Sequence, residues 1–261
     1  LDGRPIPYSI FLHAGTDLYR ERPFLRQKLL AARHVITCSA FNRAFILDRY
    51  PDLQDQLAKK ITVYHHGLDF SEMPFHAEGR ENGRILAVGR LAREKGFDQL
   101  LVALSQIKEA APQAVVEILG DGPEMQALSR LAGRLGLQDR VIFRGWTSFQ
   151  AVQEAMQRAT LLVHPSPVIG DGVPNVLKEA AAAGIPIIAT DISGLPEAVE
   201  DGRSGLLVPP GDPQALAQAI QQLLERPDLR RELALRARRY AESKFDLWKN
   251  GRELARLLCS S

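Results

Sequence analysis

Gly170-Asp171-Gly172-Val173-Pro174-Asn175-Val176-Leu177-Lys178-Glu179-Ala180-Ala181-Ala182-Ala183-Gly184-Ile185-Pro186 reads as a loop, a helix and a stop. Asp171 and Gly172 belong to the loop, and Pro174 suits a first helical position, where no N–H is needed. Val176, Leu177 and the four alanines give a helix that is apolar on nearly every side, so most of it is expected to be buried. Gly184 caps its C-terminus and Pro186 prevents its resumption, after which Ile187-Ile188-Ala189 reads as a core strand. Two acids interrupt this apolar segment, Asp171 just ahead of the helix and Glu179 eight positions later within it. A carboxylate on a buried helix is costly unless it is paired or hydrogen-bonded. A helix N-terminus offers free N–H groups and a positive dipole end, which favour an anion such as phosphate. Two readings stand side by side. In one, the segment holds a polar, partly anionic ligand. In the other, Glu179 bonds a neighbouring backbone group or arginine and Asp171 only caps the helix.

On either side of this stretch strands and helices alternate. Strands are expected over about 84–89, 114–119, 140–144, 160–164, 186–190 and 205–208, with helices over about 96–110, 122–136, 148–158, 174–183 and 212–225. That alternation is the pattern of a doubly wound parallel sheet, an α/β fold whose ligands bind at the carboxyl ends of the strands. The first part carries strands at 8–12, 34–38 and 61–64, helices at 24–33 and 39–50 with Ser39 as N-cap, and a linker containing Pro74, Gly79 and Gly83. The tail reads as two helices, with Arg230, Arg231, Arg236, Arg238 and Arg239 on a solvated face.

At 261 residues the chain is long for one domain and short for two full ones. An apolar fraction of 45% and a charged fraction of 25% are ordinary for a globular protein. The net charge of +2 implies no polyanion partner, and no aromatics interleave the tail arginines, so a nucleic-acid role is not expected. Cys38 and Cys259 show no metal spacing and suit a reducing, cytoplasmic compartment. No apolar run approaches the roughly 18 residues of a membrane helix. Leu1-Asp2-Gly3-Arg4 reads like the interior of a longer chain, so an N-terminal portion is expected to be missing.

Several strand ends carry chemistry-bearing residues. Val88-Gly89-Arg90-Leu91-Ala92-Arg93-Glu94-Lys95-Gly96 puts three cations between a strand end and a helix start. That suits a diphosphate, with Arg supplying a planar fork and Lys a point charge; a solvated basic loop is the alternative. Gly120-Asp121-Gly122-Pro123-Glu124 is a tight turn rather than a dinucleotide fingerprint, because Met125 stands where a third glycine would be needed. Arg144-Gly145-Trp146 follows the next strand, and Trp146 could equally be core. His164 closes a strand near Asp171 and suits packing, and Glu197 suits a cap on its own short helix. His13 ends the first strand and is followed by Ala14 and Gly15, so backbone can approach a ligand there. No carboxylate stands at metal-ligand spacing from His13, His65 or His66. Tyr19 to Lys28 mixes cations with Phe24 and Leu25, compatible with peripheral contact to an anionic membrane or with a solvated helix face.

The acid–Gly–x–Pro–x–Val–x–x–Glu–Ala pattern from Asp171, with small residues, Gly184 and Pro186 after it, resembles the signature of family 4 glycosyltransferases. These are retaining, nucleotide-sugar-dependent enzymes of the GT-B fold. The pattern normally has Glu at both acid positions, so Asp171 departs from it by one methylene. Gly89-Arg90-Leu91 with Lys95-Gly96 resembles the family's diphosphate loop. The resemblance implies a Rossmann-like donor-binding domain over 77–240, a partial acceptor domain over 1–76 and a helix crossing back over 241–261. It implies that Arg90 and Lys95 hold the diphosphate, that Glu179 binds the ribose, and that Asp171 and His13 face the transferred sugar. It further implies that the backbone from Gly172 through Val173, Pro174 and Asn175 to Val176 meets sugar and phosphate, and that Gly122, Arg144 and Trp146 border the nucleotide. The implied activity is metal-independent and without a separate cofactor: hexose transfer from a nucleotide-diphospho-sugar to a glycan or lipid-linked acceptor, of the bacterial exopolysaccharide or lipopolysaccharide type. The alternatives are a donor-binding fragment without turnover, a sugar-nucleotide epimerase and a phosphorylase.

Overall fold

A computed structural model describes residues 7–15, 18–77 and 79–259; Leu1-Asp2-Gly3-Arg4 lies outside them. The chain forms two wholly parallel sheets. The smaller contains β1 (Ser9–Leu12), β2 (His34–Thr37) and β3 (Ile61–Val63) in that order, linked through α1 (Leu25–Ala31), α2 (Ala40–Arg49) and α3 (Gln54–Lys60). The larger contains β4 (Arg84–Val88), β5 (Val115–Leu119), β6 (Val141–Gly145), β7 (Leu161–His164), β8 (Ile187–Thr190) and β9 (Leu206–Val208). Its helices are α4 (Phe97–Ile107), α5 (Met125–Arg134), α6 (Phe149–Arg158), α7 (Asn175–Ala183) and α8 (Pro213–Glu225), and the tail forms α9 (Pro227–Lys244) and α10 (Leu247–Cys259).

Period-2 alternation in the strands builds two cores, one on each face of the large sheet. Ile85 and Ala87 of β4 join α4, α5 and α8, while Leu86 joins the opposite layer under α6, α7 and α9. A strand buried on both faces has no polar position to spare, which is why these segments read as continuous apolar runs. The spatial order is β6-β5-β4-β7-β8-β9. The chain moves outward from β4 to β6, then returns to the other side of β4 with β7. The connections leaving β4 and β7 therefore diverge, and their carboxyl ends flank a crevice at the switch point.

Most expected elements are present, with differences that have local causes. Helix α3 was not expected: in Gln-Asp-Gln-Leu-Ala-Lys-Lys only Leu57 is buried, so no apolar periodicity marks it. Pro174 does not open α7 as its first helical residue. It is the N-cap, with ψ 134°, and the helix begins at Asn175. Arg238 is not on a solvated face: it donates to the carbonyls of Phe70 (3.2 Å), Met73 (3.1 Å) and Ala182 (2.7 Å). Arg230 likewise donates to the Leu223 and Leu224 carbonyls, which end α8.

The two sheets are joined by two backbone crossings that run side by side. Leu68 N–H donates to Phe245 O (2.8 Å), and Leu247 N–H donates to Leu68 O (3.1 Å). Asn250 of α10 adds a bond to the His65 carbonyl at 2.9 Å. The fit depends on Gly67, where an added Cβ would overlap the Leu247 backbone. Gly67→Ala is therefore expected to destabilise the chain by about 2 kcal/mol or more. It should also undock α10, read as faster amide exchange over 247–259 with the large sheet unchanged.

Candidate functional site

The loops after β4 and β7 are held together at the crevice. Arg93 to Lys95 form a single tight turn ending at Gly96, whose φ of +66° is left-handed. A Cβ on Gly96 would overlap the Pro165 carbonyl, so only glycine lets the cationic turn lie against the β7 loop. Across the gap, Gly172 is pressed against Cys38 Sγ at the end of β2. The crevice is thus bounded by both sheets. It opens into a hollow of about 530 Å³ whose lining includes Arg90, Lys95 and Asp171 from the large sheet and Tyr19 and Arg20 from the small one.

Asp171 is the electrostatic centre. Lys95 Nζ donates to its Oδ1, and Oδ2 accepts from Ser166 Oγ at 3.0 Å and meets His164 Nε2 at 3.0 Å. Burial alone would push this carboxyl up. The hydrogen bond and charge of His164, then Lys95, outweigh burial and hold it well below the ordinary carboxylate range. Asp171 does not cap α7, which has no side-chain cap at all. The first N–H groups of α7 therefore have no side-chain acceptor, as an anion site requires. Arg90 is tied to Glu94 at 2.5 Å on the outer rim and remains largely exposed.

Glu179 stands half-buried one turn into α7 and outside the lining of the hollow. Among the described residues it has no hydrogen-bond partner, so neither backbone nor arginine satisfies it, and burial pushes its carboxyl up against the opposing charge of Lys178. Asn175 is exposed at the start of α7, while Val173 and Val176 pack on the core beneath it. His13 is exposed at the end of β1. Its ring stacks on His66 at 5.0 Å between centroids, with Nδ1 and Nε2 sharing a hydrogen bond at 3.2 Å.

The remaining predicted residues sit at the neighbouring strand ends. Gly122 lies against the Leu91 backbone, so this turn props the cationic loop from behind. Arg144 pairs at 2.7 Å with Glu117, which is 2% exposed and also pairs with Arg84. Trp146 is 81% exposed and is not core.

Three residues escaped sequence reasoning. His164 contacts Asp171 directly rather than only packing; its place at the end of β7 was the available signal. Glu197 caps α2, not its own turn, accepting from Ala40 and Phe41 N–H at 2.9 Å each and meeting His65 Nε2 at 2.8 Å. Lys178 is 1% exposed although it is a charged residue next to Glu179. Among the described residues no group of three or more His, Cys, Asp or Glu could hold a metal ion, and no helix is long and apolar enough to cross a membrane.

Because the folded Asp171 carboxyl binds its proton more weakly than an ordinary one (3.8), the stability it contributes is present above that value. It is lost as pH falls through the folded value. Asp171→Asn is expected to remove about 2–3 kcal/mol near neutral pH, since His164 and Lys95 lose their counter-ion. It should also flatten the acid limb of stability, measured by urea unfolding from neutral pH down into that limb.

Comparison with known proteins agrees with this arrangement. The glycosyl transferases group 1 profile matches residues 71–240. The alpha-D-kanosaminyltransferase of Streptomyces kanamyceticus is 33% identical over 171 residues, covering 66% of this chain and 44% of that protein. WcaL of Escherichia coli K12, a glycosyltransferase provisionally assigned to colanic acid biosynthesis, is 35% identical over 209 residues, covering 77% and 51%. The chain thus spans about half the length of these curated relatives. The crystal structure of Anabaena HepE in complex with UDP and glucose superposes with a TM-score of 0.83 at 25% identity, covering 98% of this chain and 72% of HepE. The parallel sheets are those of the GT-B glycosyltransferases, and the chain belongs to the group 1 glycosyl transferase family.

Proposed function

We propose that this chain carries the donor site of a retaining, family 4 glycosyltransferase that moves a hexose from a cytoplasmic nucleotide-diphospho-sugar to a glycan or lipid-linked acceptor in polysaccharide assembly. The observation that carries the proposal is the shared hollow: Arg90, Lys95 and Asp171 converge on it beside the uncapped N-terminus of α7. Breaking a sugar–diphosphate bond builds negative charge on the departing nucleotide and positive charge at the anomeric carbon. Arg90, Lys95 and the N–H groups of Gly172, Val173, Asn175 and Val176 meet the first charge, neutralising it without a metal ion. Asp171 meets the second, and His13 faces the sugar from the other sheet. Glu179, a half-buried carboxylate with no partner of its own, suits the ribose hydroxyls.

Lys95 is bound to Asp171. An arriving diphosphate competes for that ammonium, and its exchange frees one Asp171 oxygen for the sugar. The family profile matches residues 71–240, and acceptor choice and turnover are part of the proposal. The HepE structure holds UDP, which makes UDP the first nucleotide to try.

Isothermal titration with a panel of nucleoside diphosphates, in the presence of a chelator, is the direct test. Binding of one member is expected, with Arg90→Ala and Lys95→Ala each weakening it about 10- to 100-fold. Failure of every member to bind a folded sample overturns the proposal.

Membrane contact is the peripheral part of the same proposal. Leu25 is core, but Phe24 beside it is 70% exposed in a left-handed conformation next to Arg20 and Arg22. Co-sedimentation with anionic liposomes should fall when Phe24, Arg20 and Arg22 are replaced by serine; equal sedimentation removes this part.

A further inference from the structure

Lys178 presents a buried ammonium that the donor chemistry does not use. It sits on α7 beside Glu179, is 1% exposed, and has no carboxylate within salt-bridge distance among the described residues. Its Nζ donates to the His66 carbonyl at 2.8 Å and lies 5.4 Å from the centre of the Phe245 ring. Those two partners belong to the two backbone crossings between the sheets: His66 precedes Gly67, and Phe245 precedes Asp246. One side chain from the donor helix thus touches both crossings.

The contact continues to the first sheet. The His66 ring stacks on His13 at 18° between planes and shares a hydrogen bond with it, and the Tyr64 ring meets the edge of the same imidazole at 5.4 Å. Burial, then the nearby His13 and Lys178, lower the affinity of His66 for a second proton. A neutral His66 can share one proton with His13 Nδ1, which orients both rings.

A bland account is available: Lys178 fills space. Space would be filled as well by methionine, which has a similar length and no desolvation penalty. Burial pushes the Lys178 amine down to about 8, so the charged form is held at a cost in free energy. Such a group is expected where orientation, and not stability, is the benefit.

We propose that Lys178 is a positioning residue: it fixes the His66 carbonyl to helix α7 and, through the His66 ring, sets the orientation of the exposed His13 ring at the end of β1. The proposal rests on the donor-site reading for its purpose, but its geometry is tested separately.

The test is a long-range 1H–15N spectrum of the histidine side chains in the wild type, Lys178→Met and His66→Ala, with nucleoside diphosphate titration alongside. In Lys178→Met the His13 and His66 ring signals should move, while the His164 signal, which reports the Asp171 cluster, stays in place. Nucleotide affinity should stay within about threefold, because Lys178 does not reach the hollow. Unmoved His13 and His66 signals overturn the proposal, and so does a shift of all three histidines together, which marks general loosening. If Lys178→Met does not fold, His66→Ala decides: His13 must move and His164 must not, and an unmoved His13 overturns the linkage. A wild type that binds no nucleotide at all defeats the donor-site reading and leaves the spectral result to stand or fall by itself.

Discussion

Asp171 is a carboxylate that folding has nearly closed off from water, and it is kept ionised by groups from three places: Lys95 after β4, His164 at the end of β7 and Ser166 beyond it. Those donors stand at the carboxyl ends of β4 and β7, at the switch point of the sheet, where the two connections part. The carboxylate therefore does what strand pairing cannot do there. It ties the two diverging connections into one wall and leaves α7 to aim its N-terminus past it. Removal of the charge would leave a lysine and a histidine facing each other in a partly dry site, a worse outcome than loss of a surface pair.

The same cluster explains the economy of the cationic turn. Three cations in a short loop repel one another unless each has a separate destination. Arg90 is drawn to Glu94 on the rim, Arg93 to Glu124, and Lys95 inward to Asp171. One cation is thus directed into the hollow and another to its edge, which grades the field from mouth to floor.

Much of the fold was legible in the sequence because the large sheet is buried on both faces. Apolar runs such as Arg84–Val88 and Leu161–His164, punctuated by Gly89, Gly120 and Gly145, leave little choice of element. The cationic turn and Asp171 were legible because their residue types are costly where the pattern puts them. What stayed hidden was long-range. Glu197 looks like a local cap but serves α2 in the other sheet, and Arg238 looks solvated but satisfies carbonyls near residues 70 and 182. Lys178 looks like an exposed position on a helix whose charged neighbour is Glu179, and only the crossing of two distant backbones shows why it is inside. Sequence spacing reports faces of an element; it does not report which remote carbonyl or ring waits opposite.

The paired crossings also set an order of events during synthesis. Leu68 is made 177 residues before Phe245 and 179 before Leu247, the two residues its backbone bonds. The anchorage of the three-stranded sheet must therefore wait until residues 245–247 have been made. Until then Gly67 has no Leu247 backbone to lie against. A late, non-local closure of this kind favours a chain whose larger body is already complete, and the near-continuous local β–α–β order of residues 84–225 provides it.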